Sequence, residues 1–335
     1  MRVLSIIIPT YNTELYIERC LDSLLYNKSV VKYLDIIVVN DGGTDRSLDI
    51  AKKYQALFPD SIQIINKKNG GHGSAVNAGI AAAKGKYVRV VDSDDWVNID
   101  DFEEYVNRLR EEKADIVVTD VRRQQLYDET ELDFRFEEKY KNPIAIENIK
   151  DKIMEDNFFF EFSMHSMTVK LDRLKTVWGE GLLEKTFYVD QQFVAKVIMC
   201  AKNYVEYPLL IYMYFIGRPE QSMGEGFFKH IDDHERVLRW LLGTTRDEKM
   251  PDYYKVVVSR QIVLMLRTHY RAYDEQPKLS RNKRSEIANF DKFLRNNFPK
   301  YYASARVASI IKRILNPMKN TYAAKTIHYF RKEKE

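Results

Sequence analysis

The sequence predicts an α/β protein with a doubly wound, Rossmann-like mixed sheet, followed by a helical region. The first 120 residues alternate short β-branched apolar runs with segments of helical periodicity, as strand–helix–strand units do. Beyond residue 226 the apolar spacing is helical alone. With 335 residues, of which 45% are hydrophobic and 30% charged, the chain is long and apolar enough to bury a substantial core.

Strands and helices are predicted to alternate in the first part of the chain. Its first run, Leu4–Ile8, is apolar throughout, as expected of a parallel strand buried on both faces. The helix predicted at Ser74–Ala83 is rich in small residues, which suits close packing. The other predicted strands are Asp35–Val39, Ser61–Ile65, Lys86–Val91 and Asp115–Thr119, and the other helices are Glu14–Tyr26, Ser47–Leu57 and Asp101–Glu112.

The rest of the chain divides into an irregular, a mixed and a helical segment. Residues 122–152 are polar and aperiodic, and strand and helix signals resume between Met164 and Phe215. His230–Leu242 and Tyr254–Tyr273 have helical spacing. We therefore expect three regions, with boundaries at 1–120, 121–225 and 226–335.

Composition excludes several classes of protein. Cys20 and Cys200 lie far apart and form no CxxC pair, so neither a disulfide framework nor a zinc site is expected. The first apolar run ends at Pro9 and is too short for a signal peptide, and no stretch approaches the roughly 20 apolar residues that span a bilayer. We expect a cytoplasmic protein, with peripheral attachment to the cytoplasmic face of the membrane left open.

The net charge of +4 conceals a basic tail. Residues 278–335 carry 15 Lys and Arg against 4 Asp and Glu, a balance of +11, so the remainder, with 38 basic and 45 acidic residues, has a balance of −7. Short basic helices are expected at Ala305–Leu315 and Tyr322–Phe330. A solvated helical face explains this pattern, as does a helix on a membrane surface, which we favour. No nucleic-acid-binding module accompanies the tail, so a nucleic-acid partner is not expected.

Polar clusters follow three of the predicted strands. Ligands of doubly wound sheets bind at the carboxyl ends of the strands, so these clusters predict one polar crevice. A single cluster is explained by turn and cap chemistry, but three at successive strand ends are not. The clusters are Pro9-Thr10-Tyr11-Asn12, Asn40-Asp41-Gly42-Gly43-Thr44-Asp45 and Asp92-Ser93-Asp94-Asp95.

The acidic cluster has the most specific chemistry. Neighbouring carboxylates repel one another, so a cation is expected between them. Oxygen ligands select a hard divalent metal such as Mg²⁺ or Mn²⁺. Asp95 or Asn98 would suffice to cap the following helix, so capping leaves Asp92 and Asp94 unexplained.

The order and spacing of these clusters resemble those of the family 2 glycosyltransferases, which have the GT-A fold. Phe187–Phe193 resembles the family's aromatic–acid–Asp segment, and Tyr214–Ser222 resembles its Tyr-…-Arg-…-Ser segment. The resemblance covers about residues 3–225 and implies an inverting enzyme that uses a nucleotide sugar. It also implies that residues 1–120 bind the donor and residues 121–225 bind the acceptor.

The resemblance assigns a role to individual residues. Pro9 and Tyr11 would flank the nucleobase, and Asp41 would accept a hydrogen bond from it, a uracil in a UDP-sugar. Asp94 would contact the metal directly, with Asp92 nearby or bound through water. Asp190 would deprotonate the acceptor hydroxyl. The remaining predicted contacts of the nucleotide sugar are Asn12, Asn77, Ser93 near the ribose and Arg218 near the diphosphate.

The chain departs from the family pattern at a few positions. Val189 precedes the base where an acidic residue is common, which would leave the pKa of Asp190 less elevated. Val76 stands where an Arg is frequent, so the diphosphate charge would fall to the metal, Arg218 or Lys86. His72, between glycines, is either a donor contact or an exposed loop residue. His165 is either a core histidine or part of the acceptor site.

Together these features predict a metal-assisted transfer of a hexose or N-acetylhexosamine to a glycan. The expected acceptor is a lipid-linked oligosaccharide of bacterial surface polysaccharide synthesis, and polyprenyl phosphate is an alternative. A sugar nucleotidyltransferase would have a glycine-rich, Arg-containing signature near the first strand, which this chain lacks. A non-catalytic nucleotide-sugar-binding module would place Asp190 far from the donor site. A homodimer is left open.

Overall fold

The computed structural model describes most of the chain as two compact units. These units are Met1–Val258 and Ser259–Glu335. The sheet lies in the first unit. The residues that the structure describes are 2–125, 132–134, 143–149, 162–216, 224–274 and 280–305.

The first unit is built around a mixed sheet. Its strands are β1 (Leu4–Thr10), β2 (Leu34–Asp41), β3 (Ile62–Lys67), β4 (Tyr87–Val90), β5 (Trp96–Val97), β6 (Ile116–Gln125), β7 (Leu132–Phe134), β8 (Ile144–Ala145), β9 (Met167–Lys170) and β10 (Asn203–Ile216). Among the described residues the strand order is β3-β2-β1-β4-β9-β6-β10-β5, with β7 paired to β6 and β8 paired to β10.

The four strands nearest the N-terminus form the parallel half of the sheet. β1 lies between β2 and β4, and β2 also pairs with β3, in each case in parallel. All seven residues of β1 and all eight of β2 are buried, as a parallel sheet covered on both faces requires. The chain turns from one side of β1 to the other between β3 and β4, and this switch point is where ligands of such sheets bind.

The α-helices that the structure describes are distributed over both units. They are α1 (Ile17–Leu25), α2 (Lys28–Val31), α3 (Ser47–Leu57), α4 (His72–Ala82), α5 (Ile99–Glu111), α6 (Leu171–Trp178), α7 (Asp190–Cys200), α8 (Ile231–Thr244), α9 (Asp252–Asp274) and α10 (Arg281–Asn297). In α1 the buried Ile17, Leu21 and Leu24 recur at the i, i+4, i+7 spacing of one helical face. The small residues of α4 pack against β1 and β2.

The doubly wound mixed sheet and the C-terminal helices confirm the predicted fold class. The strand predicted at Asp115–Thr119 begins at Ile116, continues to Gln125, and is separated from β4 by the antiparallel β9. Because β9 has only four residues, its sequence carries too few repeats for a period to be recognised.

The first unit also extends further than the predicted boundary after residue 225. It continues to Val258 and so includes α8. The buried face of α8, which contains Val237, Leu238 and Leu241, packs on α7 rather than forming a separate helical region. The predicted helices at Ala305–Leu315 and Tyr322–Phe330 lie, apart from residue 305, outside the described residues.

The second unit is helical where it is described. It contains the end of α9, the whole of α10 and helical residues 299–305. Within it, the ring of His269 contacts Phe290 at a centroid distance of 5.3 Å, and the Tyr270 hydroxyl donates to Asp291 Oδ1 at 2.6 Å. None of the helices in the described part of the chain is long and apolar enough to cross a membrane.

The contact between α4 and β1 gives a test of the fold. A Cβ added at Gly79 on α4 would lie 2.3 Å from Ile7 Cγ2, whereas one at Gly243 on α8 meets nothing within 4 Å. Gly79→Ala should therefore lower the free energy of unfolding by about 1–3 kcal/mol. Gly243→Ala, the matched control, should raise it by up to about 1 kcal/mol because Ala favours helix. Urea denaturation measures both, and equal losses would contradict this packing.

Candidate active site

The three predicted polar clusters meet at the carboxyl edge of β1, β2 and β4. The side chain of Asn12 bridges the first two clusters, because its Oδ1 accepts from the Thr44 amide at 2.8 Å. Thr13 joins the first to the third, because its hydroxyl donates to Ser93 Oγ at 2.9 Å. Asn12 has a left-handed backbone, with φ of 51°, which Asn tolerates better than most residues. The predicted crevice is therefore present.

The acidic cluster forms a tight turn directly after β4. The Asp95 amide donates to the Asp92 carbonyl at 3.0 Å, which closes the turn. Asp94 and Asp95 are buried, whereas Asp92 is partly exposed. The Arg19 guanidinium donates to the Asp94 carbonyl at 2.9 Å and stacks over Trp96 at 3.7 Å. Three carboxylates are thus held within four residues at the centre of the crevice.

Two histidines flank the Asp92 carboxylate. His72 Nε2 lies 2.8 Å from Oδ1, and His165 Nε2 lies 3.4 Å from Oδ2. Burial acts to lower the pKa of His72, but the Asp92 charge outweighs it and raises that pKa. Burial acts in turn to raise the pKa of Asp92, but His72 and His165 hold it well below its usual range. Asp92 is therefore an ionised carboxylate, matched by imidazoles on either side.

Asp95 is held by β10. Its Oδ2 accepts from the Tyr212 hydroxyl at 2.5 Å and its Oδ1 accepts from the Phe215 amide at 2.8 Å. Burial raises the pKa of Asp95 well above its usual range, and the charges of Asp94 and Asp92 raise it further. A negative charge on Asp95 is therefore disfavoured, since its two hydrogen bonds offset burial and the neighbouring carboxylates only in part.

The same residues meet the geometric requirements of a cation site. Ligand atoms of Asp92, Asp95 and His165 all lie within 4.8 Å of one another. This group shares Asp92 with the predicted pair but contains Asp95 and His165 in place of Asp94. Both oxygens of Asp95 already accept hydrogen bonds, whereas among the described residues the oxygens of Asp92 face His72 and His165 alone. The excess negative charge fits a hard divalent cation.

Asp41, the predicted contact of the nucleobase, is buried at the end of β2. Its Oδ1 accepts from Lys67 Nζ at 2.7 Å, and its Oδ2 accepts from the Gly71 amide at 2.7 Å. The Gly70 amide is shared between the two oxygens, at 3.0 Å from Oδ1 and 3.2 Å from Oδ2. Asp41 therefore fixes the loop that leads into α4, and both of its oxygens already accept hydrogen bonds from that loop and from Lys67.

The two residues predicted to flank the nucleobase differ in exposure. Pro9 is buried within β1, in register with Val39 of β2. Tyr11 follows the strand, and 53% of it is exposed to solvent. An exposed aromatic ring at the rim of the crevice is available for stacking, which a buried ring would not be.

Asn77 and the glycine-rich loop hold the segment that precedes Asp190. The Asn77 amide donates to the Leu182 carbonyl at 2.9 Å, and its Oδ1 accepts from the Leu182 amide at 2.8 Å. The Lys185 amide donates to the Gly70 carbonyl at 2.6 Å. A Cβ on Gly73 would lie 2.3 Å from the Leu183 carbonyl oxygen, so a side chain there would displace this segment. The hydrogen bonds of Asn77 thus position the chain rather than point into the crevice.

Asp190 is the first residue of α7 and is partly buried. Two residues just before it, Lys185 and Tyr188, have left-handed backbones, with φ of 47° and 64°. Strain of this kind persists only where surrounding contacts impose it. For Tyr188 these contacts are the rings of Phe227 and His234, at 5.1 and 5.3 Å.

Asp190 lies within electrostatic reach of the acidic turn. Its charge contributes to the raised pKa of His72, which bonds Asp92 directly. Burial raises the pKa of Tyr214, and the charges of the acidic turn and of Asp190 raise it further. The two acidic groups of the site, one on the β4 turn and one on α7, thus act on the same side chains.

Arg218 and Lys86 were the two side chains predicted to contact the diphosphate. Arg218 lies outside the described residues. Lys86 precedes β4 and donates to the carbonyls of Arg110 and Glu112, at 3.0 and 2.6 Å. Because it lies at the amino end of β4, it does not fit the role proposed for it at the opposite edge.

Sequence reasoning missed two residues that support the site. Arg89, on β4, is fully buried, and its guanidinium donates to Thr119 and Thr168 and to the His165 carbonyl. Tyr212 donates to Asp95 and accepts from the Asp92 amide at 3.2 Å. The presence of a charged residue within the four-residue strand β4 could have indicated a structural role for Arg89. No sequence feature indicated the role of Tyr212, because its partner lies more than 100 residues away.

The arrangement is that of an α/β fold with polar side chains gathered at the switch point of its sheet. Residues 5–172 match the model of glycosyl transferase family 2. The match covers half of the chain, so the chain belongs to this family.

Two curated relatives are each similar to about a third of the chain. An uncharacterized glycosyltransferase of Bacillus subtilis, EpsJ, is 44% identical over 115 residues, which are 34% of this chain and 33% of the relative. The minor teichoic acid biosynthesis protein GgaB of the same organism is 37% identical over 112 residues, 33% of this chain and 12% of the relative. The chain therefore spans a third or less of the length of these relatives.

Solved structures support the fold. The TarS 1-349 fragment of S. aureus, in complex with UDP-GlcNAc, has a TM-score of 0.67 at 19% identity, over 90% of this chain and 83% of that one. The Pyrobaculum calidifontis mannosyltransferase PcManGT, in complex with GDP-Man and Mn²⁺, has a TM-score of 0.54 at 16% identity, over 92% of this chain and 88% of that one. At these identities the likeness is one of fold.

His234 gives a pH-dependent test of the packing around Tyr188. Burial lowers the pKa of His234 to about 3, so the folded protein keeps it neutral while the unfolded chain takes up a proton near pH 6.5. The unfolded state therefore binds more protons below that pH, and stability falls as the pH falls. Between pH 7.5 and 5.5 the free energy of unfolding of the wild type should fall by about 1.4 kcal/mol more than that of His234→Gln. Urea denaturation at both pH values measures this, and equal losses would contradict the assignment.

Proposed function

We propose that the chain is an inverting glycosyltransferase that transfers a hexose or N-acetylhexosamine from a UDP-sugar to a glycan. The observation that carries this proposal is the meeting of the acidic turn, the nucleotide-side loops and Asp190 in one crevice. A non-catalytic binding module would need the turn but would not need a carboxylate within electrostatic reach of it.

The donor is proposed to bind across the carboxyl ends of β1, β2 and β4. Tyr11 offers an exposed ring for the uracil, and Asp41, which lies at the end of β2, is the carboxylate proposed to accept from a base N–H group. Ser93 lies next to Thr13 at the ribose position. The complex of the TarS 1-349 fragment with UDP-GlcNAc supports a UDP-sugar as the donor class.

A divalent cation is proposed at the acidic turn. Asp92 and Asp94 are the predicted ligands, and Asp95 and His165 lie close enough to Asp92 to share a cation with it. When bound, such a cation stabilises the charge that develops on the departing diphosphate. His72 and His165 hold the Asp92 carboxylate ionised and fix its orientation, since each bonds a different oxygen. The complex of PcManGT with Mn²⁺ supports this class of cofactor.

Asp190 is proposed as the base that deprotonates the acceptor hydroxyl. A single displacement needs this proton removed on the side of the sugar opposite the leaving diphosphate. The first turn of a helix stabilises a carboxylate, and Gln191 Nε2 donates to Asp190 Oδ2 at 2.9 Å, which leaves Oδ1 for the acceptor. Asn77 and Gly73 hold the preceding segment and thereby set the position of this carboxylate.

The acceptor is proposed to be a lipid-linked oligosaccharide of bacterial surface polysaccharide synthesis. The similarity to GgaB and to a poly(ribitol-phosphate) beta-glucosyltransferase of Bacillus spizizenii supports this class. The basic residues after 305, which lie outside the described part of the chain, would bring the enzyme to the membrane surface where such acceptors reside.

Asp94→Asn tests the metal assignment. Loss of a residue that only supports a metal ligand commonly lowers metal affinity by about 10–100-fold. Removal of a ligand itself should therefore weaken Mn²⁺ binding by more than about 100-fold. Mn²⁺ binding can be followed by electron paramagnetic resonance, and UDP-sugar hydrolysis can be assayed in parallel. The matched control is Asp60→Asn, an exposed carboxylate between α3 and β3. Wild-type Mn²⁺ affinity in Asp94→Asn would leave Asp92, Asp95 and His165 as the ligands.

Asp190→Asn separates catalysis from binding. Replacement of a general base should lower the rate of transfer by about 10²–10⁴-fold. Donor affinity, measured by calorimetry, should stay within about two-fold of wild type. Asp172→Asn is the control, because Asp172 is an exposed carboxylate in the first turn of the neighbouring α6. If Asp190→Asn lost donor affinity as well, Asp190 would be a structural residue.

A further inference from the structure

The second unit contains a groove remote in sequence from the crevice. It encloses about 600 Å³ between one face of α9 and the helical residues 299–305. On α9 its lining residues recur at the i, i+3, i+4, i+7 spacing of a single face. These are Arg260, Val263, Leu264 and Arg267.

The lining of the groove combines positive charge with apolar surface. Arg267 and Lys300 are exposed, and Arg260 is half-buried, so three cations point toward one opening. Val263 and Leu264 lie between the two arginines, and Leu264 is 36% exposed. Among the described residues that line the groove, none is acidic.

Hydroxyl groups complete the opposite wall. The Tyr301 hydroxyl and Ser259 Oγ are 2.6 Å apart, which ties the two helices together at the groove. Ser304 follows Tyr301 on the same face of its helix. A set of donors of this kind binds a phosphate group, because Arg and Lys supply charge and hydroxyls supply further hydrogen bonds.

We propose that this groove binds the phosphate of an anionic phospholipid headgroup and docks the second unit on a membrane surface. A headgroup presents a phosphate directly beside the apolar carbons of its lipid, which matches cations placed beside an exposed leucine. A free phosphate ion has no apolar surface that could pack against the apolar part of the lining.

The chain that follows the groove carries charge of the same sign as its lining. Residues 306–335 carry eight Lys and Arg against two Asp and Glu, a balance of +6. A negatively charged surface attracts the groove and this segment together.

Vesicle sedimentation of the full chain tests the proposal. The vesicles contain phosphatidylglycerol and phosphatidylcholine, and pure phosphatidylcholine vesicles serve as the neutral reference. Each surface cation contributes about five-fold to binding, so the double variant Arg267→Gln, Lys300→Gln should need roughly 30-fold more lipid for half-binding. The matched control, Lys52→Gln with Lys53→Gln, removes two exposed charges from α3 and should shift binding by less than about two-fold.

Two further arms distinguish a lipid headgroup from a free phosphate. Leu264→Gln should weaken vesicle binding by about five-fold or more, since partial burial of a leucine contributes to binding at a lipid surface. Wild-type vesicle binding by this variant, together with displacement of the wild type by inorganic phosphate at constant ionic strength, would overturn the lipid assignment. Equal losses in the α3 and groove variants would overturn the site, because the general charge of the protein would then explain both.

Activity without vesicles separates this proposal from the proposed function. UDP-sugar hydrolysis by the groove variants should equal that of the wild type, and thermal melting should show the same stability. A groove variant that lost hydrolysis while it remained folded would have a catalytic defect, which would overturn a role confined to membrane docking. Loss of transfer in Asp190→Asn bears on the crevice alone.

Discussion

The structure of the site depends on the mutual repulsion of three carboxylates within one four-residue turn. A charge brought out of water is costly unless opposite charge or hydrogen bonds offset it. Asp92 is offset by His72 from α4 and by His165 from the segment before β9. Asp95 is offset by Tyr212 and the Phe215 amide from β10. Each element that reaches the crevice is thus held there by a contact with the turn.

A second layer of contacts fixes these partners in turn. The buried guanidinium of Arg89 donates to the His165 carbonyl and lies 5.8 Å from the Tyr212 ring. Asp41 binds the amides of Gly70 and Gly71, which places the start of α4 and therefore His72. The site is rigid because no partner of the turn relies on a single contact.

Much of the fold followed from local pattern. β1 and β2 contain continuous apolar runs, whereas β3 and β4 are interrupted by Gln63 and Arg89. All four strands were predicted, but their order in the sheet was not. The place of the site followed as well, since polar clusters at strand ends of such sheets meet at one edge. The insertion of β9 did not, because four residues carry too little period to reveal an antiparallel strand.

The roles of single residues were harder to predict. Asn77 was predicted from the sequence to contact the nucleotide sugar, but its side-chain amide is hydrogen-bonded to the backbone of Leu182, about 100 residues later. For His165 the sequence allowed two interpretations, a core histidine or a residue of the acceptor site, and only the folded chain brings it to Asp92. Such pairings leave no local trace, because they depend on how distant segments approach and not on the residues beside them.

The bond between Tyr212 and Asp95 has a consequence for the order in which the protein is made. The two residues are 117 positions apart, and the strand that carries Tyr212 is synthesised after every other element of the crevice. While the chain emerges from the ribosome, the acidic turn lacks this partner, and its repulsion opposes compaction of the carboxyl edge. Closure of the crevice is thereby deferred until β10 has been translated, so a shorter nascent chain contains the sheet's parallel half without an assembled site.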